Sequence, residues 1–595
     1  MSTTAVESNH QPRPIRWSGT KAFLIECADL NDVVSIHTHL TNNPLPGQRE
    51  LLAAARTVMV AFDSRPRAVA AAQLLATMQY DDAATVAGET ILIPVVYDGE
   101  DLQAVADLTN LSVEGVIQAH TSAEWKGAFG GFAPGFTYLV ADNDPLNVPR
   151  RETPRTAVPA GSVALAGNFS AVYPRRSPGG WQLIGRTNER MWDLGRENPA
   201  LVRPGDIVKY EATRETISAV VPDSEPESAS EATPEVTADQ AVGSTSTYLE
   251  IIDPGLQTLL QDLGRPGFGD LGVSASGAAD KASARQANRV VGNDSDLAVL
   301  ENVLGELELK AFGNVIVAIT GAEVKAFVTQ NPALMEIPEP SEDLEEGEEE
   351  ELPEPEVRRA PLRTAFSLYD GETLRIEAPE AGLRTYVAVR GGFMVPEVLG
   401  SRATDSMSGV GPEPLAKGKV LPVGQAKRNN SVGSDEPATG VLPMIGKVTT
   451  LRITLGPRDD WFDEAGISAL TEQEWMATSQ SNRIGVRFEL PAGGRPMTRA
   501  KDGELASEGA VPGSLQIPPS GLPVLFLADH PVTGGYPVAG VVIERDMPLA
   551  AQLPPGAKVR FTAVDPDTFL PLENSTSTSS STRPQGSEKN EGPSA

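Results

Sequence analysis

Cysteine is nearly missing from this sequence: Cys27 is the only one in 595 residues. That excludes a disulfide framework and fits a reducing compartment. Histidine is scarce as well, at five, and so few cysteines and histidines make no ordinary zinc site, so no metal centre is expected. No apolar run approaches the ~18 residues that cross a bilayer, which excludes a helical membrane span. The amino-terminal "MSTTAVESNHQPRPIRW" has no apolar stretch of the kind a secretory signal needs, so a cytoplasmic protein is expected. There is no Walker A loop, no G-x-S-x-G elbow and no Ala-Met-Lys-Met biotinylation site. A nucleotide or substrate site must therefore be built from less standard parts.

Positive charge is also in deficit. The net charge of −31 argues against nucleic-acid binding, which wants concentrated basic residues. Most of the acidity sits in two stretches without a base. Residues 336–356, "EIPEPSEDLEEGEEEELPEPE", hold twelve acids, and residues 222–247 hold six more. Without those eighteen the remainder carries −13, an ordinary surface charge for so long a chain. Both stretches read as solvated and self-repelling.

What the chain does have is 55 glycines and 49 prolines with only 5% aromatics, which predicts many turns between short strands. Low-complexity segments divide it: a polar tail over 1–14, a linker over 222–247, an insertion over 336–361 and a tail over 571–595. Two globular halves remain, about 15–221 and 248–570. The first half opens as an α/β piece over about 15–90, with strands in "KAFLIECA" and "TVMVAFD" and a helix over 66–79. "SIHTHL", with alternating His37 and His39, reads as a surface or half-buried pair. Two short helices follow within 101–125, the second capped by Ser112. From about 91 to 221 short strands dominate, and the same holds for the second half apart from a helix over 280–292. The expected class is α+β and mainly β, with β-barrel or sandwich bodies.

Candidate chemistry gathers beside one dense loop, "GFAPGFTYLVADNDPLNVPRRETPRTAVPAGSVALAG" (131–167). His120 lies just before it at a helix end, where a protonated imidazole is favoured electrostatically and an acid–base role is also open. Arg150, Arg151 and Arg155 offer forks for carboxylate or phosphate oxygens, or else form a solvated basic loop.

The motifs "GFAPGF", "TPR", "VPAGSV", "YPRRSPGGWQLIGRT" and "RPGD" carry a family likeness. Residues 15–212 resemble the allophanate hydrolase subunit 1 family, which includes the B-type component of 5-oxoprolinase and Kip-type kinase inhibitors. Residues 248–565, through "DPGLQTLLQDLGRPG", "GVSASGAADKASARQANRVVGN", "SNRIGVRF" and "TGGYP", resemble the allophanate hydrolase subunit 2 family, which includes the C-type component of 5-oxoprolinase. The resemblance implies cyclophilin-like β-barrels in both halves. It also implies ATP-dependent opening of 5-oxo-L-proline to glutamate, with ATP and Mg2+ used in a complex with an A-type partner. Related urea amidolyases instead transfer a carboxyl group from carboxybiotin, and the Kip-type members regulate a kinase; both remain alternatives. No biotin attaches to this chain, no nucleic-acid or membrane partner is expected, and homo-oligomerisation stays open. The chain departs from the pattern at Ala403-Thr404, in place of Ser-Thr, and at His530, in place of Gln.

Within that frame His120, Arg150, Arg155 and the turn Ser177, Gly179, Gly180 and Trp181 are expected around one pocket, the glycines exposing backbone N–H groups to an anion. In the second half the motif-dense candidates are Gln261, Asp262, Arg265, Asp280, Asn288, Asn482, Arg483, Glu508, Asp529, Thr533 and Gly534. Asp262, Glu508 and Asp529, with His120, are the catalytic candidates, since carboxylates can position water or a metal-bound nucleotide. Against this, "QDLGR" also reads as a capped turn and "SNR" as a brace between strands.

Overall fold

Short apolar runs separated by glycine turns fold into four bodies, two from each half of the chain. The computed structural model describes residues 12–78, 88–141, 145–151, 155–214, 247–331, 355–501, 503 and 505–572. The linker expected over 222–246, the acidic run 336–354, the first eleven residues and the tail from 573 lie outside the described residues. The expected insertion 336–361 ends early, because Val357–Arg359 pairs as an edge strand with Ala326–Thr329.

The first body is a four-stranded antiparallel sheet in the order Ile15–Ser18, Ala22–Glu26, Thr57–Phe62, Gln48–Ala53. Two helices, Leu30–Asn42 and Arg65–Thr77, bury one face of it through Val33, Ile36, Leu40, Ala68 and Leu75. The stretch "SIHTHL" lies in the first of these helices, with His39 half-buried as expected and His37 buried. Asp29 caps a helix by accepting from the Asp32 N–H, and Val33, Ile36, His37 and Leu40 fall on one face at helical spacing.

The second body is a seven-stranded sheet running from Gln182–Arg186 at one edge to Thr90–Val95 at the other. A bridge between Val96 and Arg186, with both backbone hydrogen bonds at 2.8 Å, joins those edges and closes the sheet. Helices Leu102–Thr109 and Val113–Ser122 pack on it. In the second half, a six-stranded and a five-stranded sheet share one core as a sandwich, built on alternating inward residues such as Leu307, Leu309 and Ala311. Helix Lys281–Val291 lies on the five-stranded sheet, capped by Asp280 and stopped at left-handed Gly292. Last comes a closed seven-stranded barrel between Val448 and Ala563.

The halves are joined tightly. Ala22, Leu24, Leu52 and Met59 of the first sheet share a core with Val511, Val532, Val538 and Val541 of the last barrel. Beside it, main chain meets main chain: a Cβ on Gly130 would sit 1.9 Å from the Asp270 carbonyl oxygen, and one on Gly272 would sit 2.3 Å from that of Ala133. His37 Nε2 lies 2.8 Å from Asp270 Oδ2, and Glu50 accepts from the Gly267 N–H. Burial, with Asp270 nearby, pushes Glu50 up to about 7. Gly130→Ala is accordingly expected to cost about 1–3 kcal/mol, read as a lower urea unfolding midpoint; an unchanged midpoint would mean the loops can part freely.

Candidate functional site

The start of the dense 131–167 stretch meets the second half, and a cleft forms there. Phe132, Pro134 and Arg175 line it from the first half; Gly272, Ser274, Asp405 and His530 face them from the second. Phe132 adopts a left-handed φ of 61°, costly for an aromatic residue, and its N–H donates to Thr533 Oγ1 at 3.3 Å. Behind Phe132 stand Phe136, Tyr173 and Trp181 in edge-to-face contacts, with centroid separations of 5.1–5.5 Å along the chain Phe132–Phe136–Tyr173 and Phe136–Trp181.

Asp405 is the acid of the cleft. Its Oδ2 accepts from Ser274 Oγ at 3.0 Å, and its Oδ1 from the N–H groups of Met407 and Ser408, both at 2.9 Å. Burial, and then the Asp529 charge, outweigh those hydrogen bonds and raise its pKa. His530 stacks on Phe526 and places Nδ1 2.8 Å from the Pro531 carbonyl, so Nδ1 carries the proton and Nε2 is the acceptor. Its burial pulls the imidazole down to about 4, so it is neutral at ordinary pH.

Asp529 and Arg483 form the floor. Arg483 grips Asp529 through a fork at 2.8 and 2.9 Å, bonds Glu301 with Nη1 and donates to the Gly277 carbonyl at 2.7 Å. Asp529 also accepts from Ser276 Oγ at 2.6 Å and from the N–H and hydroxyl of Ser406 at 2.9 and 2.7 Å. Burial alone would raise Asp529; the guanidinium wins and holds it low. This network ties the sandwich, the last barrel and the 401–408 loop together under the cleft.

The other sequence candidates scatter. His120 is fully buried in the core of the first barrel, with Tyr97 Oη at 2.7 Å, Ser170 Oγ at 3.0 Å and Tyr210 stacked at 4.2 Å. It is a satisfied core histidine, lowered to about 3 by burial, and the expected pocket role is corrected. Ser177–Gly179 does pair with Arg155–Val158, and Gly180 accepts from the Arg151 N–H at 2.8 Å. The charge of Arg155, however, is committed to Asp101 at 2.9 Å and Glu100 at 3.0 Å, so it is no free anion grip. Arg150 is exposed. Asp262 closes a turn on the Gly264 and Arg402 N–H groups and Ser401 Oγ. Gln261 and Arg265 hold the carbonyls of Thr404 and Ala403. Asp280 caps its helix, Asn288 ties Leu297 and Asn293, and Asn482 shapes a turn through Ile484 and Gly485. These are braces, as the duller readings of "QDLGR" and "SNR" allow. Glu508 binds Arg458, which also reaches Glu26 across the joint between halves. Gly534 opposes Glu508, and a Cβ there would meet Gln516 Nε2 at 2.3 Å. Sequence reasoning misses Arg175, Ser274 and Asp405. The motif "YPRRSPGGW" marks the right loop, but nothing local separates Arg175 from its neighbour Arg176.

Two of the buried histidines, His120 and His530, carry a pH consequence. Unfolded, each binds a proton near 6.5; folded, only near 3 for His120 and 4 for His530. Stability is therefore complete above 6.5 and declines as pH falls from there towards those values. His120→Gln is expected to make that decline shallower by about one proton, seen in unfolding midpoints compared at neutral and mildly acid pH. An identical slope would place the proton uptake elsewhere.

Two strand-rich halves meeting at a cleft belong to a chain that matches known proteins over most of its length. The family model described as carboxyltransferase domain, subdomain C and D, matches residues 13–202, and that for subdomain A and B matches residues 271–563. The chain is 34% identical over 316 residues to the C-type component of 5-oxoprolinase from Escherichia coli K12, 53% of this chain and 90% of that protein. It is 46% identical over 130 residues to the B-type component of 5-oxoprolinase from Escherichia coli O157:H7, 21% of this chain and 60% of that relative. A solved structure, that of TTHA0988, superposes with a TM-score of 0.73 at 30% identity, over 91% of this chain and all of that one. The chain belongs to the carboxyltransferase-domain family that includes the B- and C-type components of 5-oxoprolinase, with the two types joined in one polypeptide. No helix among the described residues is long and apolar enough to cross a membrane.

Proposed function

We propose that this chain is the fused B- and C-type component of an ATP-dependent 5-oxoprolinase that works with an A-type partner to open 5-oxo-L-proline to L-glutamate. The observation that carries the reading is the cleft itself: one wall comes from the B-like half, the opposite wall and the acid from the C-like half. A lactam carbonyl is a poor electrophile and its nitrogen a poor leaving group, so the oxygen must first take a phosphoryl group from ATP. Water then adds to the ring carbon and releases a proton; the C–N bond breaks, and the nitrogen leaves with a proton of its own. The resulting acyl phosphate loses phosphate to a second water.

In this cleft, Asp405 is the group placed to give the departing nitrogen its proton, and burial with the Asp529 charge shifts it towards the acid form. The Nε2 lone pair of neutral His530 orients the incoming water. The residues do not fit a Mg2+ site of their own: Asp405 and Asp529 already accept from hydroxyl, N–H and guanidinium donors, and the described residues contain no cluster of three or more metal-binding side chains. Phosphoryl transfer is therefore assigned to the A-type partner. The test is glutamate release from the purified chain, a cognate A-type protein, ATP and 5-oxo-L-proline. Glutamate that needs all four supports the reading. Urea carboxylation with a biotin carrier, or tight binding to a histidine kinase, in the absence of glutamate overturns it.

A further inference from the structure

The cleft holds an arginine whose buried Nε has no hydrogen-bond acceptor among the described residues. Arg175 lies in the loop between the strands Phe169–Val172 and Ser177–Gly179. Its Nε is buried and meets no acceptor among the described residues. The acid that acts on it is Asp405 across the cleft, and both oxygens of Asp405 already accept from Ser274, Met407 and Ser408. Three other arginines each have carboxylate partners. Arg155 is paired with Asp101, Arg458 with Glu26 and Glu508, and Arg483 with Asp529 and Glu301. A guanidinium partly withdrawn from water and left without an acceptor is held at a cost that an incoming oxyanion removes.

The surroundings say what kind of anion. Phe132, Pro134 and Pro531 offer apolar walls beside Arg175, while Ser274, Ser408 and His530 offer polar atoms opposite. Apolar walls with a cation on one side and hydroxyl and imidazole atoms on the other suit a small, partly apolar acid that brings one carboxylate to Arg175. We propose that Arg175 anchors the carboxylate of a small cyclic acid, so that the B-like half supplies substrate recognition to an acid–base centre held by the C-like half. The identity of that acid as 5-oxo-L-proline rests on the function proposed above; the anion grip does not.

Two ligands separate the terms: 5-oxo-L-proline, and 2-pyrrolidinone, the same lactam without the carboxylate. Each is titrated calorimetrically into the full chain without nucleotide or partner. The expected result is that 5-oxo-L-proline binds and 2-pyrrolidinone does not. Arg175→Gln should weaken binding about tenfold or more, with Arg175→Lys recovering part of it, because a point charge replaces the fork. Arg176→Gln, the same charge change on an exposed neighbour, should leave binding unchanged. Thermal unfolding of each variant checks that it is folded. Equal binding by Arg175→Gln and the parent chain, equal binding of both ligands, or no binding of 5-oxo-L-proline to the parent chain would each overturn the anchor. Arg175-dependent binding without glutamate in the complete assay keeps the anchor and sinks the oxoprolinase. Glutamate with an unchanged KM in Arg175→Gln does the reverse.

Discussion

Arg483→Met is expected to destabilise the protein by about 3–5 kcal/mol, because it strands two buried carboxylates at once. Glu301, Asp529 and Arg483 are all 1% exposed or less. Burial opposes the charge on Arg483, and only Asp529 and Glu301 beside it hold the guanidinium strongly protonated. Take the cation away and Asp529 faces the interior with hydroxyl and backbone donors alone, while Glu301 keeps Tyr386, the Ala279 N–H and the more distant Arg384 Nε at 3.5 Å. The change should appear as a large drop in the urea midpoint, followed by tryptophan fluorescence. Combining it with Glu301→Gln and Asp529→Asn should recover much of the loss, since the orphaned charges are then gone. A single variant as stable as the parent would show that water reaches the network.

Asp405→Asn should leave the fold near its original stability yet lower turnover in the complete assay about 10²–10⁴-fold, the usual scale for a missing proton donor. Asparagine keeps an oxygen for the Met407 and Ser408 N–H groups, and its NH2 can donate to Ser274 Oγ, so the loop can retain its shape. The pH profile separates chemistry from structure. Asp405 acts in its protonated form, and its pKa is raised by burial and by Asp529. Turnover should therefore fall as pH rises through that raised value, and the limb should vanish in Asp405→Asn. Persistence of the same limb in the variant would assign the proton to another group.

How much can be read from residues alone differs sharply between fold and site. Helix Lys281–Val291 is plain because its signals are local: an Asp cap, alanines on one face and Gly292 at the end. Helix Leu30–Asn42 is not, because β-branched and polar residues fill it and "SIHTHL" imitates a strand; the Asp29 cap is the available clue. For the site, motif density points to the right loops and often to the wrong side chains. Asp262 and Asp529 look alike in sequence, yet one closes a turn and the other meets an arginine 46 residues away. The chemistry of His120 and Arg155 suits a pocket, but Tyr97 and Asp101 already satisfy them. Arg175 gains its meaning from Asp405, which lies in the other half of the chain. Such partnerships exist only once the halves have docked.

The joint at Gly130 and Gly272 has an evolutionary corollary. Most surfaces between protein modules can drift, since a side chain lost on one side is compensated by one gained on the other. Here the opposing surfaces are carbonyl oxygens and glycine Cα atoms, with no side chain to exchange. At these two points the seam is intolerant of a change in loop length, whereas the shared apolar core and the Arg458–Glu26 pair beside it can still exchange side chains. A half transplanted from a distant relative should dock if its glycine loop keeps the same number of residues and its docking face stays apolar. One inserted residue should separate the halves and pull Arg175 away from Asp405, so that the cleft is inherited as a single unit.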